Sequence, residues 1–176
     1  MARRVAAGIL ALVATFGLLT AGAAVAHEAT VTSPVARAMR MRGVSAYRLD
    51  TASQAPALTV DMTNGVDLEA MCQALSGRLV PVFGQAPAIT PIGPGQSRLR
   101  GLVEAAAVPV AQGIATGQFV AMADAVRSLA AKDGVRARVE VDTSAVYVTL
   151  VPRHGSEAYA VFTRPPQAAG AAGAPA

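Results

Sequence analysis

The stretch ALTVDMTNGVDLEAMCQALSGRLVPVFG, residues 57–84, has the clearest structural pattern of the chain and decides its fold class. Apolar and small or polar residues alternate over residues 57–62, which is the period of a half-buried β-strand. Asp67 can cap a following helix whose apolar side chains recur at helical spacing, and Gly77 is placed to end it. LVPVF, residues 79–83, then predicts a second strand, with a proline typical of a sheet edge. The stretch therefore predicts a β-α-β unit.

The rest of the chain predicts further strands and helices around this unit. Residues 84–97 hold three prolines and three glycines, and predict a long loop without regular structure. Pro109 predicts the end of a short helix, and Thr116 opens the strongest helical pattern, which Gly134 ends. Strands are predicted at residues 43–49, 135–141, 146–150 and 158–162. The whole pattern predicts an α+β fold, in which a small mixed or antiparallel sheet has two or three helices packed on one face.

The first 26 residues, MARRVAAGILALVATFGLLTAGAAVA, have the pattern of a secretory signal peptide. Two arginines supply a positive start, an uncharged apolar run follows, and the final AVA offers small residues where a signal peptidase cuts. An uncleaved anchor is the alternative, since residues 5–26 are long enough to cross a bilayer, and the protein would meet a membrane only through this leader. We expect cleavage between Ala26 and His27 and a periplasmic or secreted product.

The expected organisation has three parts. Residues 1–26 are the signal peptide, residues 27–163 form a single α+β domain, and residues 164–176 form a disordered tail. The tail sequence PPQAAGAAGAPA, which follows Arg164, has almost nothing to bury. A mature chain of about 150 residues is long enough to bury a stable core.

The charge of the mature chain argues against a nucleic-acid partner. Loss of the two leader arginines leaves 13 basic and 11 acidic residues, a net charge of +2. Nucleic-acid binding favours clustered cations with interleaved aromatic residues. Here the arginines are scattered along the sequence, and the chain has only three tyrosines and four phenylalanines.

The single cysteine, Cys72, allows no intrachain disulfide although we expect an oxidising destination. Leu68, Met71 and Leu75 lie beside it or at helical spacing from it. We therefore predict a buried, unreactive thiol, because a reactive one needs an exposed, cationic setting.

Several catalytic patterns are absent from the sequence. The chain contains no G-x-S-x-G, no H-E-x-x-H and no Walker loop, and it has only two histidines to serve as a base. The acidic residues nominate no catalytic pair. IGPGQSRLR, residues 92–100, could form an anion-binding nest, but a plain loop that enters a helix explains the same residues better. We expect that the protein is not an enzyme.

A histidine at a mature N-terminus offers a metal two nitrogens, its free amine and its ring. With a second imidazole this set resembles the copper-binding histidine brace of lytic polysaccharide monooxygenases and some periplasmic copper carriers. The resemblance covers His27 and one possible partner, His154, with Met39 and Met41 as possible thioether ligands for Cu(I). It implies a small copper-binding periplasmic protein, and is our alternative hypothesis. The disulfides and aromatic-rich surface of the brace families are missing.

Residues 57–84 also resemble the strand-helix-strand unit of the small periplasmic domains of secretins. The resemblance covers about 28 of the 150 mature residues, and its pattern is generic. It implies a role in envelope assembly, with edge strands that pair with an envelope or secretion-system protein. Our first hypothesis is an exported, non-enzymatic domain that binds such a partner without a cofactor.

Overall fold

A computed structural model describes residues 32–51 and 55–165 of the protein. The predicted α+β fold is confirmed, but in these ranges six strands form two three-stranded sheets and not the single sheet that was expected. In chain order the elements are α1 Ser33–Ala38, β1 Val44–Asp50, β2 Ala57–Met62, α2 Leu68–Phe83, β3 Ala88–Ile92, α3 Arg100–Thr116, α4 Phe119–Lys132, β4 Val135–Val141, β5 Ala145–Pro152 and β6 Ala158–Thr163.

The first sheet contains the predicted β-α-β unit. Its strand order is β1-β2-β3, with β1 antiparallel and β3 parallel to β2, and α2 connects the two parallel strands. The Asp67 side chain accepts a hydrogen bond of 3.0 Å from the backbone N–H of Ala70, and so caps α2 as expected. Leu58, Val60 and Met62 are buried on one face of β2, which confirms the alternating pattern.

The second strand of this unit is not the predicted one. LVPVF, residues 79–83, continues α2 through Pro81, and the helix ends at Gly84, whose φ of 73° is left-handed. Helical continuation buries Leu79 completely, next to Leu75 one turn earlier. This burial offsets the backbone hydrogen bond that Pro81 cannot donate.

The strand that pairs with β2 lies inside residues 84–97, where no regular element was predicted. It is β3, and its Pro91 stands opposite Val60 in the parallel register. Since β3 is an edge strand of its sheet, the missing N–H of Pro91 leaves the β2 pairing intact. The chain does have a proline in an edge strand, but it is Pro91 and not Pro81.

The helix boundaries around Pro109 were also predicted wrongly. Instead of ending there, α3 runs through Pro109 to Thr116, and α4 begins at Phe119. The continuation keeps Ala106 and Val110 on one buried face, and both are almost fully inaccessible. The break comes at Gly117, whose left-handed φ of 72° ends α3.

The second sheet is an antiparallel meander with the order β4-β5-β6. On one face of β5, Val146, Val148 and Leu150 pack into a core shared with α3 and α4. On the other face, Ala145 and Tyr147 join the core built by α1, β2 and α2. The central strand is therefore buried on both faces.

A glycine-containing loop joins the two sheets. The backbone N–H of Gly95 donates a hydrogen bond of 2.8 Å to the carbonyl of Glu157. A Cβ atom on Gly95 would lie 2.0 Å from the carbonyl oxygen of Ser156, so this approach requires glycine. Gln96 completes the junction, because its Oε1 accepts a hydrogen bond from the backbone N–H of Tyr159 at 3.1 Å.

The first two residues of the expected tail contact the domain or lie next to it. The Arg164 guanidinium donates to the carbonyl of Asp142 and lies 4.6 Å over the ring centre of Phe119. Its backbone N–H donates to the carbonyl of Ser144 at 2.8 Å. The rest of the tail after Pro165, like the predicted signal peptide, lies outside the described residues.

A basic groove as the candidate functional site

Three cavities that share lining residues lie around β4 of the second sheet. The first, of about 750 Å³, lies between the start of α3, the end of α4 and the turn after β5. The second, of about 550 Å³, shares Val135 and Arg153 with the first. The third, of about 500 Å³, shares Arg136 and Val151 with the second. We call these three cavities together the basic groove.

The groove collects positive charge from distant parts of the sequence. Two acidic side chains, Asp133 and Glu157, line it. Six basic side chains line it: Arg98 before α3, Arg127 and Lys132 in α4, Arg136 and Arg138 in β4, and Arg153 after β5. The arginines that are scattered along the chain are therefore clustered in space.

Only part of this charge is neutralised by described neighbours. Arg127 forms an ion pair of 3.0 Å with Asp124, and Arg138 lies 3.6 Å from Glu140. Partial burial raises the pKa of Glu140, and the nearby Arg138 only partly opposes this rise. For Arg136, no carboxylate in residues 32–51 or 55–165 lies within 4.0 Å. The groove therefore presents guanidinium groups that are available to an anion.

The outer edge of β4 borders the groove and has no neighbouring strand among the described residues. Antiparallel pairing alternates along a strand, and the N–H of Asp142 donates to the carbonyl of Ala145 at 3.0 Å. It follows that the backbone groups of Ala137, Val139 and Val141 point away from β5, toward the open edge. β4 pairs with β5 without interruption over its seven residues. It is a straight template for another strand.

Besides β6, which contacts β3 of the first sheet, the other antiparallel edge strand is β1, and it differs from β4. Its pairing with β2 shifts register between Val44 and Ala46, which is the signature of a bulge. Bulges twist an edge away from regular pairing and protect it from strand addition. Of these two edges, β4 is the one that both has regular geometry and borders clustered charge.

Thr149 is a buried polar side chain with an unfilled hydrogen-bonding capacity. It lies opposite Arg138 in the strand register, is only 2% exposed and lines the third cavity. Its hydroxyl has no hydrogen-bond partner within the described part of the chain. Because a buried hydroxyl without a partner costs free energy, this atom is a natural contact point for a ligand.

Glu157 closes the far end of the third cavity and is already held by neighbours. Its Oε2 accepts a hydrogen bond of 2.7 Å from the N–H of Gly65 and lies 2.6 Å from the Tyr159 hydroxyl. Its own backbone N–H donates to Asn64 Oδ1 at 2.8 Å. Burial, followed by the hydrogen bond to Glu157, raises the pKa of Tyr159 above its ordinary value, so the hydroxyl remains a donor. Glu157 is thus a fixed negative wall of the groove.

The structure places one of the two predicted copper ligands in this groove. His154 is exposed on the turn after β5 and lines the first cavity beside Arg98, Lys132 and Arg153. His27 lies outside the described residues, so their separation is not defined. Within residues 32–51 and 55–165, no three His, Cys, Asp or Glu side chains gather to hold a metal ion.

The two methionines proposed as thioether ligands face the first core. Met39 is only 4% exposed, and Met41 packs against the same cluster. Cys72 is also buried, and burial, with a smaller contribution from Asp142, raises the pKa of its thiol to about 12. The predicted burial of Cys72 is confirmed, and the raised pKa disfavours the reactive thiolate form.

The proposed anion nest is explained by packing. A Cβ atom on Gly93 would lie 2.4 Å from the carbonyl oxygen of Glu157, and Gly95 makes the still closer approach described above. The two glycines therefore serve the junction between the sheets. From this segment, Arg98 lines the basic groove.

Sequence reasoning missed the groove, although one local signal was present. VRARVEV, residues 135–141, places Arg136 and Arg138 on the face of β4 opposite its buried residues. The sequence does not show which other cations are near this pair. Only the fold brings Arg153 and the residues of α4 beside it.

Comparisons with known proteins add no relative: the chain matches no protein-family model, no curated protein and no solved structure. The resemblances to secretin domains and to the histidine brace therefore remain hypotheses. No helix within the described ranges is both long and apolar enough to span a membrane.

Proposed function

We propose that this protein is an exported, non-enzymatic accessory domain of the cell envelope that binds an extended, acidic segment of a partner protein along β4. The observation that supports this function best is the open, regular edge of β4 beside six basic side chains. Main-chain hydrogen bonds to such an edge supply affinity, and flanking side chains select the partner. The leader pattern of residues 1–26 supports export.

An acidic protein segment fits the groove better than a nucleic acid does. Single-stranded nucleic acids need aromatic platforms on which their bases stack. Apart from the imidazole of His154, none of the side chains that line the three cavities is aromatic. An added strand would instead meet Arg136 and Arg138 on one face of the sheet and Arg127 on the other.

The proposal is tested with peptides of defined charge. A labelled peptide of seven residues, the length of β4, alternates Thr and Glu. Its fluorescence polarisation is measured as the purified protein is added. Versions with Gln or Lys in place of Glu, and an oligonucleotide of the same length, are the comparisons. We expect binding of the Glu peptide, at least tenfold weaker binding of the Gln peptide, and weaker binding as salt increases.

Two controls separate strand addition from general attraction. Two versions of the Glu peptide are N-methylated, one on the odd-numbered amides and the other on the even-numbered amides. Both keep their charge, but only one of them keeps the N–H groups that would donate hydrogen bonds to β4. The double variant R136E/R138E should lose at least tenfold in affinity, whereas R40E/R48E, with the same charge change at exposed positions, should not. Equal binding of both methylated peptides, or tighter binding of the oligonucleotide, would overturn the proposal.

Export and the copper alternative are tested on the same protein. An intact mass that corresponds to residues 27–176 would support cleavage, and a mass for residues 1–176 would contradict it. The exposed position of His154 favours the copper hypothesis, although the three cations around it oppose a metal ion. That hypothesis requires tight Cu(II) binding that is lost in H154A and in a form with one extra N-terminal residue.

A further inference from the structure

The third cavity of the groove is lined by three arginines, of which Arg136 and Arg138 project from β4 to the same face as the unsatisfied hydroxyl of Thr149. We infer that this cavity is a socket for one carboxylate side chain of the bound segment, held by Arg136 and Arg138 and oriented by a hydrogen bond from Thr149. This inference rests on the proposed function, since it names the residue type that anchors the acidic segment.

The geometry of the sheet favours one anchoring point. Arg138 and Thr149 are cross-strand partners, and Arg136 lies two residues away on the same face of β4. Their side chains therefore project to one side of the sheet, where the third cavity opens between them and Glu157. A strand added at the β4 edge projects every second side chain to that same side.

The chemistry of the lining favours a carboxylate over a phosphate. A planar guanidinium donates two parallel hydrogen bonds to a carboxylate, and a hydroxyl can donate a third. Glu157 is the opposite wall of the cavity, and its charge repels a dianion more strongly than a monoanion. Glu157 does not fill the socket itself, because Gly65 and Tyr159 hold its carboxylate at the rim.

The burial of Thr149 distinguishes a binding role from a structural one. No described group hydrogen-bonds to its hydroxyl, so we expect the hydroxyl to add little to the stability of the fold. Valine has nearly the same shape and suits a strand equally well. T149V should therefore leave the fold intact and remove only the donor that the carboxylate would use.

The test couples this hydroxyl to one residue of the peptide. Affinities of wild type and T149V are measured for the Thr/Glu peptide and for peptides in which each Glu in turn is replaced by Gln. We expect T149V to bind the Glu peptide about tenfold more weakly. For the one peptide that lacks the socket Glu, T149V should cause no further loss.

Matched controls keep the outcomes separate. T90V makes the same change at an exposed position of β3 and should bind like wild type. If wild type binds the Glu peptide but T149V binds it equally well, or loses affinity equally for every Gln peptide, the socket is overturned and the proposed function stands. If wild type does not bind the Glu peptide, the proposed function and the inference that rests on it are both overturned. A T149V protein with a lower unfolding midpoint would contradict the absence of a structural role.

Discussion

The hydroxyl group of Tyr159 lies 2.8 Å from the carbonyl oxygen of Thr63, and so links the last strand to the turn that follows β2. The same hydroxyl lies 2.6 Å from Glu157 Oε2 and 3.4 Å from the N–H of Val66. Tyr159 itself is fully buried. One side chain thus satisfies polar groups from both sheets at their contact.

Removal of this hydroxyl should weaken the contact between the sheets. In Y159F the buried Val66 N–H loses its partner. The Thr63 carbonyl and the Glu157 carboxylate, which share the one hydroxyl proton in partly buried surroundings, also lose theirs, and together these losses cost about 1–3 kcal/mol. Urea denaturation, followed by circular dichroism, measures this loss in the free energy of unfolding. Y47F removes a hydroxyl that is exposed and has no described hydrogen bond, and should change the free energy by less than about 0.5 kcal/mol. Equal effects of the two substitutions would refute the role of Tyr159.

Gly95 should tolerate no side chain. Alanine there would place Cβ 2.0 Å from the backbone of Ser156, so the loop or β6 must move, and we expect G95A to lose about 3 kcal/mol or to fail to fold. G77A is the matched substitution, because a Cβ at Gly77 in the middle of α2 meets nothing within 4 Å. It should stabilise the protein by about 0.5–1 kcal/mol through helix propensity. Thermal unfolding of both variants decides the point, and a stable G95A protein would contradict this packing.

Asp142 should make the free energy of unfolding depend on pH in the acidic range. Partial burial raises its pKa, but hydrogen bonds from the backbone and hydroxyl of Ser144, from Tyr147 and from the Ala145 N–H together lower the pKa to about 2. Because this value is below that of the unfolded chain, the carboxylate stabilises the fold fully above about pH 4 and loses its contribution as the pH falls toward 2.

Urea midpoints measured between pH 6 and pH 2 test the role of Asp142. We expect D142N to be less stable than wild type at pH 6 and to change less than wild type below about pH 4. D124N removes an exposed carboxylate that pairs only with Arg127, and should follow the wild-type curve closely. Parallel curves for wild type and D142N would show that Asp142 does not contribute in this way.

Thr149 should be a site where stability can be gained. Replacing a buried hydroxyl that has no described partner by a methyl group removes a desolvation cost. T149V should therefore unfold at the same or a higher urea concentration than wild type, and its free energy of unfolding should be larger by up to about 1 kcal/mol. T90V makes the same change at an exposed position of β3 and should leave the free energy of unfolding unchanged. A clear loss of stability in T149V alone would mean that the hydroxyl has a partner in solution.

Local patterns predicted those elements whose burial alternates regularly. β2, β4 and the helix that Asp67 begins follow periodicity and capping alone. The helix boundaries were predicted wrongly at Pro81 and Pro109. The local sequence shows the missing N–H of each proline, but it does not show the burial that long-range packing supplies at Leu79 and Val110. β3 was missed for the same reason, since a five-residue strand with a proline is identified by its neighbour β2.

The candidate site was less predictable than the fold. Arg136 and Arg138 are close in sequence, but Arg98 and Arg153 join them only after two sheets and two helices have packed. The lack of a hydrogen-bond partner for the Thr149 hydroxyl depends on its surroundings in the fold, and no sequence pattern predicts it. His154 was nominated for its residue type, whereas its cationic surroundings are a property of the fold.

The burial of β5 on both faces sets an order in which the protein opens. We expect the amide hydrogens of Val146 and Val148 to exchange with solvent mainly through global unfolding, so that their exchange rates report the stability of the fold. Amides at the exposed β1 edge exchange through local fraying, at far lower cost. The outer amides of β4 belong to the same sheet as β5, so a partner that binds there would be anchored beside the strand that we expect to open last.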